Sequence, residues 1–281
     1  MSMVELKVDT VRFAHRTKEV LHGVSLNVHD GEVVGILGQN GSGKTTLLNC
    51  INTTFKQSSG SVAIADFSKD AFDSRRRKID DIMDIRSFSD TERSRIVATV
   101  EQNSNMSFPF TVMDTVRMGR YSRSGILDES DEKEMEKILS CLEETGLMDF
   151  ASRNVSELSG GEWRRVMIAQ ALAQEPEILL LDEPTLHLDI NHQFDLMDLC
   201  RRIASDGHIL VVIVTHDLQL AARYCDRVIV MKEGDIISDG PAKEVINEEM
   251  IANVFGMRSR VSWNDEINGM SVFLIERIGG K

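Results

Sequence analysis

Apolar residues follow two patterns along the chain, and the first predicts strands near the N-terminus. β-Branched residues are frequent in residues 4–8, 20–28 and 33–37, and Asp30-Gly31 provides a turn before the last of these. A further short strand is expected at residues 62–64. Because such residue types favour a pleated strand, the chain is predicted to open with a group of strands.

The second pattern is an unbroken apolar run of strand length, at residues 178–181 and again at residues 209–214. Such runs are typical of strands buried on both faces of a parallel sheet, since a half-exposed strand alternates apolar and polar positions. Strand, helix and strand alternate in this part of the chain. The pattern therefore predicts an α/β fold.

Helices are predicted from helical spacing and from capping signals. Apolar residues recur at helical spacing from 135 to 142, in an amphipathic helix that ends near Gly146. Residues 89–92 can form a capping box for a short helix before a strand at residues 96–100. Another helix is expected from about residue 162 to 173.

The stretch GQNGSGKTT, residues 38–46, lies between a predicted strand and a predicted helix. Glycines let successive backbone amides point inward, and a helix start adds its positive dipole end, so the segment suits a polyanion. Gly38, Gly43, Lys44 and Thr45 match the pattern G-x-x-x-x-G-K-[ST]. Lysine supplies a mobile charge and the hydroxyl a Mg²⁺ ligand, which predicts a nucleoside triphosphate site.

Two acids end the apolar run ILLL, where open α/β sheets gather their ligands. Neighbouring strand residues point to opposite sides, so Asp182 and Glu183 are expected to have different roles. Asp182 would hold Mg²⁺, and Glu183 would polarise or deprotonate an attacking water.

Two further segments carry candidate phosphate ligands. In LSGGE, residues 158–162, Ser159 stands at a second glycine-flanked helix start and can donate a hydrogen bond to phosphate. His216 ends a third apolar strand, from which its side chain could reach a γ-phosphate. Each signal alone is weak, because such glycine triplets are mostly loops and a lone histidine is mostly structural.

Composition narrows the cellular setting. The chain has 281 residues with a formal net charge of -13, which argues against an extended nucleic-acid surface. Its four cysteines form no C-x-x-C pair, as expected of small core residues in a reducing compartment. The sequence shows neither an apolar signal segment nor a membrane-spanning run, so we expect a cytosolic protein or one that reaches a membrane through a partner.

Together, these motifs resemble the ATP-binding cassette (ABC) family over nearly the whole chain. In the family's order they are Walker A at residues 38–45, the Q-loop residue Gln102, the signature at residues 158–162, Walker B with the catalytic acid at Asp182 and Glu183, the D-loop residue Asp189 and the switch residue His216. The resemblance implies an α/β P-loop NTPase core of RecA-like type, with an N-terminal antiparallel β subdomain and an inserted α-helical subdomain.

The resemblance also implies roles for individual residues, with ATP and Mg²⁺ as cofactors. Catalytic roles fall on Glu183, His216 and Gln102, and Mg²⁺ ligation on Thr45, Gln102 and Asp182. ATP contacts fall on Gly38, Asn40, Gly41, Ser42, Gly43, Lys44, Thr45, Thr46, His15, Ser159, Gly160, Gly161 and Asp189. The resemblance further implies a head-to-tail homodimer, in which Ser159 and Gly161 of one subunit would close over the γ-phosphate held by Lys44 of the other.

Three segments resemble the ATPases of iron-siderophore, haem and cobalamin importers. They are LDEPTLHLDINHQ at residues 181–193, TVMDTVRMGRYSRSG at residues 111–125 and the ending GPAKEVINEEMIANVFGM at residues 240–257. The resemblance implies a permease dimer as partner, a substrate-binding protein as indirect partner and a place at the cytoplasmic face of the cell membrane. Which cargo is carried stays open, with molybdate or tungstate as an outlier.

The chain is expected to form one ABC ATPase domain over residues 1–281, with a helical subdomain at approximately 104–165 and a C-terminal extension at approximately 240–281. A coupling helix for the permease would lie within residues 113–147. Residues 65–87 look like an insertion atypical of the family, and its basic cluster RRRK is either a solvated surface or a contact with permease or anionic lipid.

Other functions stay open. A soluble cassette ATPase of iron-sulfur cluster assembly is the alternative, whereas repair and translation members need long coiled coils or a second cassette. A phosphate-binding protein without turnover is disfavoured by Glu183 and His216. His15 is expected either to stack on adenine or to lie in a solvated loop, and Phe13 is a second candidate for the adenine contact. The signature carries Glu162 where glutamine is frequent and Trp163 where a basic residue is usual.

Overall fold

The computed structural model describes residues 4–66, 82–102, 109–123, 131–267 and 269–279. The strands are β1 Val4–His15, β2 Lys18–His29, β3 Val33–Leu37, β4 Ser59–Asp66, β5 Ile82–Asp84, β6 Val97–Val100, β7 Ile178–Asp182, β8 Leu210–Val214, β9 Arg227–Lys232, β10 Asp235–Pro241, β11 Met257–Asn264 and β12 Gly269–Arg277. The helices are α1 Lys44–Ile51, α2 Asp90–Ile96, α3 Val112–Met118, α4 Asp131–Glu144, α5 Gly160–Leu172, α6 Ile190–Gly207, α7 Leu218–Tyr224, α8 Ala242–Val245 and α9 Glu248–Phe255.

The N-terminal strands form an antiparallel sheet in the order β2-β1-β4-β5. The expected strand at residues 4–8 is confirmed, but β1 continues to His15. The register between β1 and β2 shifts after Val8, and beyond the shift Val11 and Phe13 are again buried. This interruption of the alternation explains why the sequence pattern located only the first half of the strand.

A second sheet, in the order β10-β9-β3-β8-β7-β6, forms the centre of the molecule. Its pairs are parallel except for β9 with β10. Every residue of β3, β7 and β8 is buried, and for β7 and β8 the unbroken apolar runs predicted this burial. The α/β fold with a parallel sheet is therefore confirmed.

The core lies on both faces of this central sheet. In β3, Val33 and Leu37 join the apolar cluster on the side of the large helices, whereas Val34 and Ile36 join the cluster that contains α1 and the N-terminal sheet. Each buried aliphatic side chain of this kind contributes roughly 1.5–3 kcal/mol to the free energy of unfolding. The two-sided burial fixes the sheet between two layers, and the carboxyl ends of its strands are left to build a site.

The predicted helices are found, and their caps are formed. Ser89 and Glu92 make the expected capping box at the start of α2, which ends at Ile96, one residue into the predicted strand. The helix expected near residues 135–142 is α4, and Gly146 follows it in the left-handed conformation with φ +67°. The helix expected at residues 162–173 is α5, which begins two residues earlier.

Arg120 ties together several segments of the helical region between β6 and β7. Its side chain is buried and donates to both carboxylate oxygens of Glu134 on α4, each at 2.8 Å. It also donates to the carbonyl oxygen of Ala173 and to Glu175, each at 2.8 Å. A buried charge of this kind needs several partners, and here they join α4 to the end of α5.

The C-terminal part contains α8, α9 and a two-stranded ribbon of β11 and β12 that the sequence patterns did not predict. Val272 of β12 is buried, and the strand packs against α7. The domain limits stay predictions, and the basic cluster at residues 75–78 lies outside the described residues. In the described part of the chain, we find no helix with both the length and the apolar character needed to span a bilayer.

Candidate active site

The loop after β3 forms a cradle that only glycine permits at its first position. A Cβ at Gly38 would lie 2.3 Å from the carbonyl oxygen of Met231 and 2.6 Å from the hydroxyl oxygen of Ser42. Gly43 precedes α1 with φ +103° and gives the helix no side-chain cap, so the first amides of α1 are free for a ligand. The hydroxyl of Ser42 is buried and has no hydrogen-bond partner among the described residues. The loop thus presents donors without partners, as a polyanion site requires.

Lys44 is held inside this cradle. Its side chain is buried, and Nζ donates to the carbonyl oxygens of Gly38 at 2.8 Å and Gln39 at 3.0 Å. Burial lowers the pKa of Lys44, while the charges of Glu183 and Asp182 oppose that shift. The ammonium group therefore faces two carboxylates in a poorly solvated position, where a phosphate would be a strong partner.

Thr45 and Asp182 meet where α1 approaches the end of β7. The hydroxyl of Thr45 donates to Oδ1 of Asp182 at 3.2 Å, and Asp182 is buried. Burial raises the pKa of Asp182; the Thr45 hydrogen bond opposes the shift, and Glu183 adds to it. In the described residues, no group of three or more His, Cys, Asp and Glu side chains is placed to hold a metal ion. The pair fits Mg²⁺, which takes one or two protein oxygens and completes its shell with phosphate and water.

Glu183 follows Asp182 but lies in a different backbone conformation. Its φ of +46° is left-handed, an unusual and strained state for a residue other than glycine, and its amide donates to the carbonyl oxygen of Val214. The turn separates the two carboxylates, so that Asp182 stays beside α1 while Glu183 contacts other loops. This supports the expectation that the two acids differ in role.

Gln102 and His216 are both close to Glu183. Nε2 of Gln102 lies 3.4 Å from one carboxylate oxygen, and Nδ1 of His216 lies 3.4 Å from the other. The Glu183 side chain is 14% exposed and that of His216 is 53% exposed. The structure therefore places Gln102 and His216, from two separate loops, on either oxygen of the Glu183 carboxylate, which is still open to solvent on one side.

These residues share a cavity of about 920 Å³. Its lining comprises Val20, Gly38, Gln39, Asn40, Gly41, Gly43, Lys44, Thr45, Thr46, Gln102, Glu183, Leu186, His216 and Phe255. Sequence reasoning did not select four of them, Val20, Gln39, Leu186 and Phe255. Gln39 could have been found, because it lies inside the glycine motif, directly after Gly38. Phe255, at the end of α9, carried no local signal, since a helix more than 200 positions along the chain brings it to the loop.

His15 lies at the end of β1 and is not among the residues that line this cavity. Its ring contacts Phe13 edge to face at 4.8 Å and Phe55 at 5.3 Å, and Phe13 is stacked on Phe55 at 5.0 Å. His15 is exposed, whereas Phe13 is buried. The structure thus places both candidates for adenine stacking in one aromatic cluster, and the adenine contact stays a prediction.

The signature lies apart from the cavity. Ser159 caps α5, where its amide and hydroxyl both donate to Glu162 at 2.7 Å, and Ser159 and Gly160 are exposed. Glu162 thus forms the capping box that glutamine could also form. None of Ser159, Gly160 and Gly161 lines the cavity. The structure therefore does not bring the signature and Lys44 together within one chain.

Asp189 caps α6 and faces His192. The main-chain amide of His192 donates to Oδ1 of Asp189 at 3.0 Å, and Nδ1 of the His192 ring lies 2.9 Å from both carboxylate oxygens. The amide hydrogen bond, followed by the contact with the ring, lowers the pKa of Asp189. The His192 ring packs on Gly161, where an added Cβ would lie 2.6 Å from the ring. Asp189 is thus fixed beside the signature, and like the signature it is outside the cavity.

The geometry suits one kind of chemistry. An anionic phosphate chain can bind the free amides and Lys44, while an open carboxylate, Glu183, faces the same cavity. Such an arrangement can bind a nucleoside triphosphate and activate water against its terminal phosphate. Ser159 and Asp189 are exposed outside this cavity, where their side chains are bound to Glu162 and His192 of the same chain.

Comparison with known sequences also indicates an ATP-binding protein. The family model described as ABC transporter matches residues 21–186. An uncharacterized ABC transporter ATP-binding protein of Methanocaldococcus jannaschii is 38% identical, with alignment over 97% of this chain and 98% of that protein. The hemin import ATP-binding protein HmuV of Rhodopseudomonas palustris is 38% identical over 89% of each chain. The cobalamin import ATP-binding protein BtuD of Halobacterium salinarum is 36% identical over 90% of this chain and 59% of that protein.

Among solved structures, the fold is similar to a dimeric, post-hydrolysis state of the ATP-binding cassette MJ0796 bound to ADP and Pi. The TM-score is 0.67 at 30% identity, with coverage of 84% of this chain and 98% of that chain. The family model matches more than half of the chain, and one relative aligns along nearly all of it. The chain therefore belongs to the ABC transporter family, as one of its ATPases.

Proposed function

We propose that this chain is the ATP-hydrolysing subunit of an importer for a metal chelate, with haem, cobalamin and ferric siderophores as the candidate cargo. The observation that carries the ATPase role is the meeting of Lys44, Glu183 and His216 in one cavity. The cargo class is supported by relatives named for hemin and cobalamin import. Neither of these names points to the soluble iron-sulfur alternative.

In the proposed mechanism, the loop amides and Lys44 bind the phosphates of ATP. Thr45 and Asp182 would hold Mg²⁺, with Gln102 as a third ligand, and the ion would neutralise charge on the phosphate oxygens. Glu183 orients the attacking water and accepts its proton. His216 and Gln102, each 3.4 Å from a Glu183 oxygen, keep the carboxylate turned toward the terminal phosphate.

The proposed active unit is a head-to-tail homodimer. Ser159 and Gly160 are exposed and lie outside the chain's own cavity, so they are available to the nucleotide of a second copy. The similar cassette MJ0796 is dimeric with ADP and Pi. A closed dimer would place Ser159, Gly161 and Asp189 of one subunit beside the phosphates bound by the other.

A membrane permease is the proposed recipient of the free energy released by closure, because only a partner that distinguishes open from closed dimers can use it. The chain would then bind at the cytoplasmic face of the membrane, and a substrate-binding protein would deliver cargo from the opposite side. No nucleic-acid partner is proposed, in keeping with the net charge of -13.

The test is hydrolysis of ATP by the purified chain, with and without Mg²⁺, compared with Glu183→Gln. We expect Mg²⁺-dependent turnover in the wild type, and in Glu183→Gln unchanged ATP binding with a loss of about 100-fold or more in turnover, because the amide cannot accept the proton. Glu157→Gln, at an exposed glutamate outside the cavity, is the matched control. Undiminished turnover by Glu183→Gln would contradict the role of this acid.

A further inference from the structure

Arg164 of α5 is a buried arginine that joins the signature helix to the loop after β6. It is 8% exposed and lies five residues after Ser159. One guanidinium nitrogen donates to the carbonyl oxygen of Glu101 at 2.9 Å, and the other to the carbonyl oxygen of Gln102 at 3.1 Å. Two parallel donors from a planar fork fix the direction as well as the position of this main-chain segment.

The surroundings of Arg164 show why the contact is specific. Burial lowers the pKa of Arg164, and the Asp182 carboxylate opposes that shift. A buried cation needs hydrogen-bond acceptors and nearby negative charge. Two main-chain carbonyls are the acceptors of Arg164, and the Asp182 carboxylate supplies the negative charge. Any movement that separates α5 from residues 101–102 would leave this charge without its partners, so the helix and the loop are expected to move together.

The same loop contacts the catalytic acid. The Gln102 side chain lies 3.4 Å from Glu183, while the Gln102 carbonyl is held by Arg164. Ser159 is the N-cap of α5, at the exposed start of the same helix. A helix is stiff over five residues, so displacement of its start is transmitted to Arg164. A continuous path thus runs from the exposed signature through Arg164 to the cavity.

We propose that Arg164 is a positioning residue that couples the two nucleotide sites of the dimer. Through its bond to Gln102, it makes the position of Glu183 depend on the position of the chain's own signature helix, α5. The inference rests on the proposed dimer, in which that signature closes on the partner's ATP. Binding of ATP at the chain's own cavity should therefore alter α5, and closure of α5 should set Glu183 for hydrolysis.

The chain provides its own reporter for this movement. It has two tryptophans, and one of them, Trp163, is next to Arg164 on α5. The other, Trp263, is exposed on β11, so Trp263→Phe leaves a single tryptophan on the signature helix. Trp163 emission upon addition of Mg²⁺ and ATP can be recorded at a dilution at which light scattering shows monomers, which separates the response within one chain from dimer closure.

Three variants are compared in the Trp263→Phe background. Arg164→Met removes both donors and keeps an unbranched, flexible apolar stem. Arg164→Lys retains the charge and can reach one carbonyl. Arg120→Met is the matched control, because Arg120 is also buried and also donates to a main-chain carbonyl, that of Ala173 at the end of α5, but does not contact residues 101–102. Thermal unfolding is measured for each variant.

For Arg164→Met we expect binding of a fluorescent ATP analogue within about twofold of the background, with kcat reduced about tenfold or more. The ATP-induced change in Trp163 emission should be lost in the monomer. Arg164→Lys should restore part of both, whereas Arg120→Met should lower the melting temperature and keep the emission change and kcat of the folded protein. A loss of kcat explained by unfolding alone would affect Arg120→Met equally.

Two outcomes would overturn the coupling role. One is an unchanged Trp163 response in folded Arg164→Met. The other is a loss of kcat no greater than that of Arg120→Met. Either result, with Mg²⁺-dependent hydrolysis by the wild type, removes Arg164 from the mechanism and leaves the proposed function intact. If the wild type neither binds nor hydrolyses ATP, the proposed function itself fails, and the coupling fails with it.

Discussion

The phosphate-loop face and the signature face of this chain are both built around the start of a helix, but they differ in what surrounds it. At the start of α1, Lys44 is buried, donates to two carbonyls of its own loop and lies in the field of two carboxylates at the end of β7. At the start of α5, Ser159 is exposed and is bound to Glu162 of its own motif. The first face is a nearly complete cradle, whereas in the proposed dimer the second would be half of a site.

The two faces are held in place by different parts of the fold. Main-chain packing of the whole fold holds the first, since Gly38 is pressed against Met231 of β9 and Asp182 comes from β7. Local capping holds the second, supported by the His192 ring under Gly161. Changes at the first face should therefore affect nucleotide binding itself, and changes at the second should affect only what two chains do together.

The largest effect is expected for Lys44→Ala, which removes the buried charge of the first face. ATP affinity should fall by about tenfold or more and turnover by about 100-fold or more, because the charge of the inner phosphates is no longer balanced. Binding of a fluorescent ATP analogue and phosphate release measure the two effects. Lys56→Ala, at an exposed lysine just beyond α1, is the control. Normal ATP affinity in Lys44→Ala would contradict a complete cradle.

Ser159→Arg tests the second face and is expected to act only on association. Monomer binding of ATP should be almost unchanged, whereas ATP-dependent dimerisation and hydrolysis should be lost, since a bulky cation replaces a small donor. Ser156→Arg, at an exposed serine three positions earlier, is the matched control. Light scattering with ATP measures dimerisation.

Mixing Ser159→Arg with Lys44→Ala makes this test specific. A head-to-tail heterodimer places both lesions in one site and leaves the other intact, so dimerisation and hydrolysis should return in part. Mixtures as inactive as the separate variants, together with normal closure by Ser159→Arg alone, would mean that the two faces do not share a nucleotide.

Asp182→Asn tests whether the buried carboxylate of the first face destabilises the nucleotide-free protein while it is needed for hydrolysis. Burial raises the pKa of Asp182 above 3.8, so the folded chain favours the neutral acid and is destabilised as the pH rises through the shifted pKa. The neutral amide should therefore raise the melting temperature of the nucleotide-free protein at pH 7, with a smaller gain at acidic pH. Mg²⁺-dependent hydrolysis should be lost. Calorimetry across pH measures the gain, and an equal gain at every pH would contradict its origin in Asp182.

Much of the site could be predicted because its residues belong to short motifs with local physical causes. The spacing of glycine, lysine and hydroxyl residues at 38–45 predicts a phosphate-binding loop. The apolar strand β7 predicts that the two acids at its end lie at the edge of the sheet where ligands bind. The contacts between motifs could not be predicted in this way. The bond from Arg164 to Glu101 joins positions 63 residues apart, and no periodicity along the chain encodes it. The ribbon of β11 and β12 was missed for a related reason, since exposed apolar residues such as Phe273 interrupt any simple alternation.

The smallest effect is expected for Phe255→Ala, which asks whether the C-terminal extension helps to build the first face. Phe255 is partly buried at the end of α9 and lines the cavity, and Lys232 Nζ anchors the same helix by donating to the Asn253 carbonyl at 3.0 Å. Loss of one aromatic contact of about 1 kcal/mol should weaken ATP binding about fivefold, with turnover at saturating ATP unchanged. Phe255→Leu should restore part of the affinity, since it returns apolar area without the ring.

The control for this variant is Phe273→Ala, because Phe273 lies in the same C-terminal extension, is 68% exposed and does not line the cavity. Titration with a fluorescent ATP analogue compares the three variants with the wild type. If Phe255→Ala binds ATP as tightly as Phe273→Ala, the extension is not part of the nucleotide site, and the first face is completed by the loop, α1 and the strand ends alone. If the affinity falls only in Phe255→Ala, the completeness of the first face depends on a segment that lies outside the nucleotide-binding motifs from Walker A to the switch histidine.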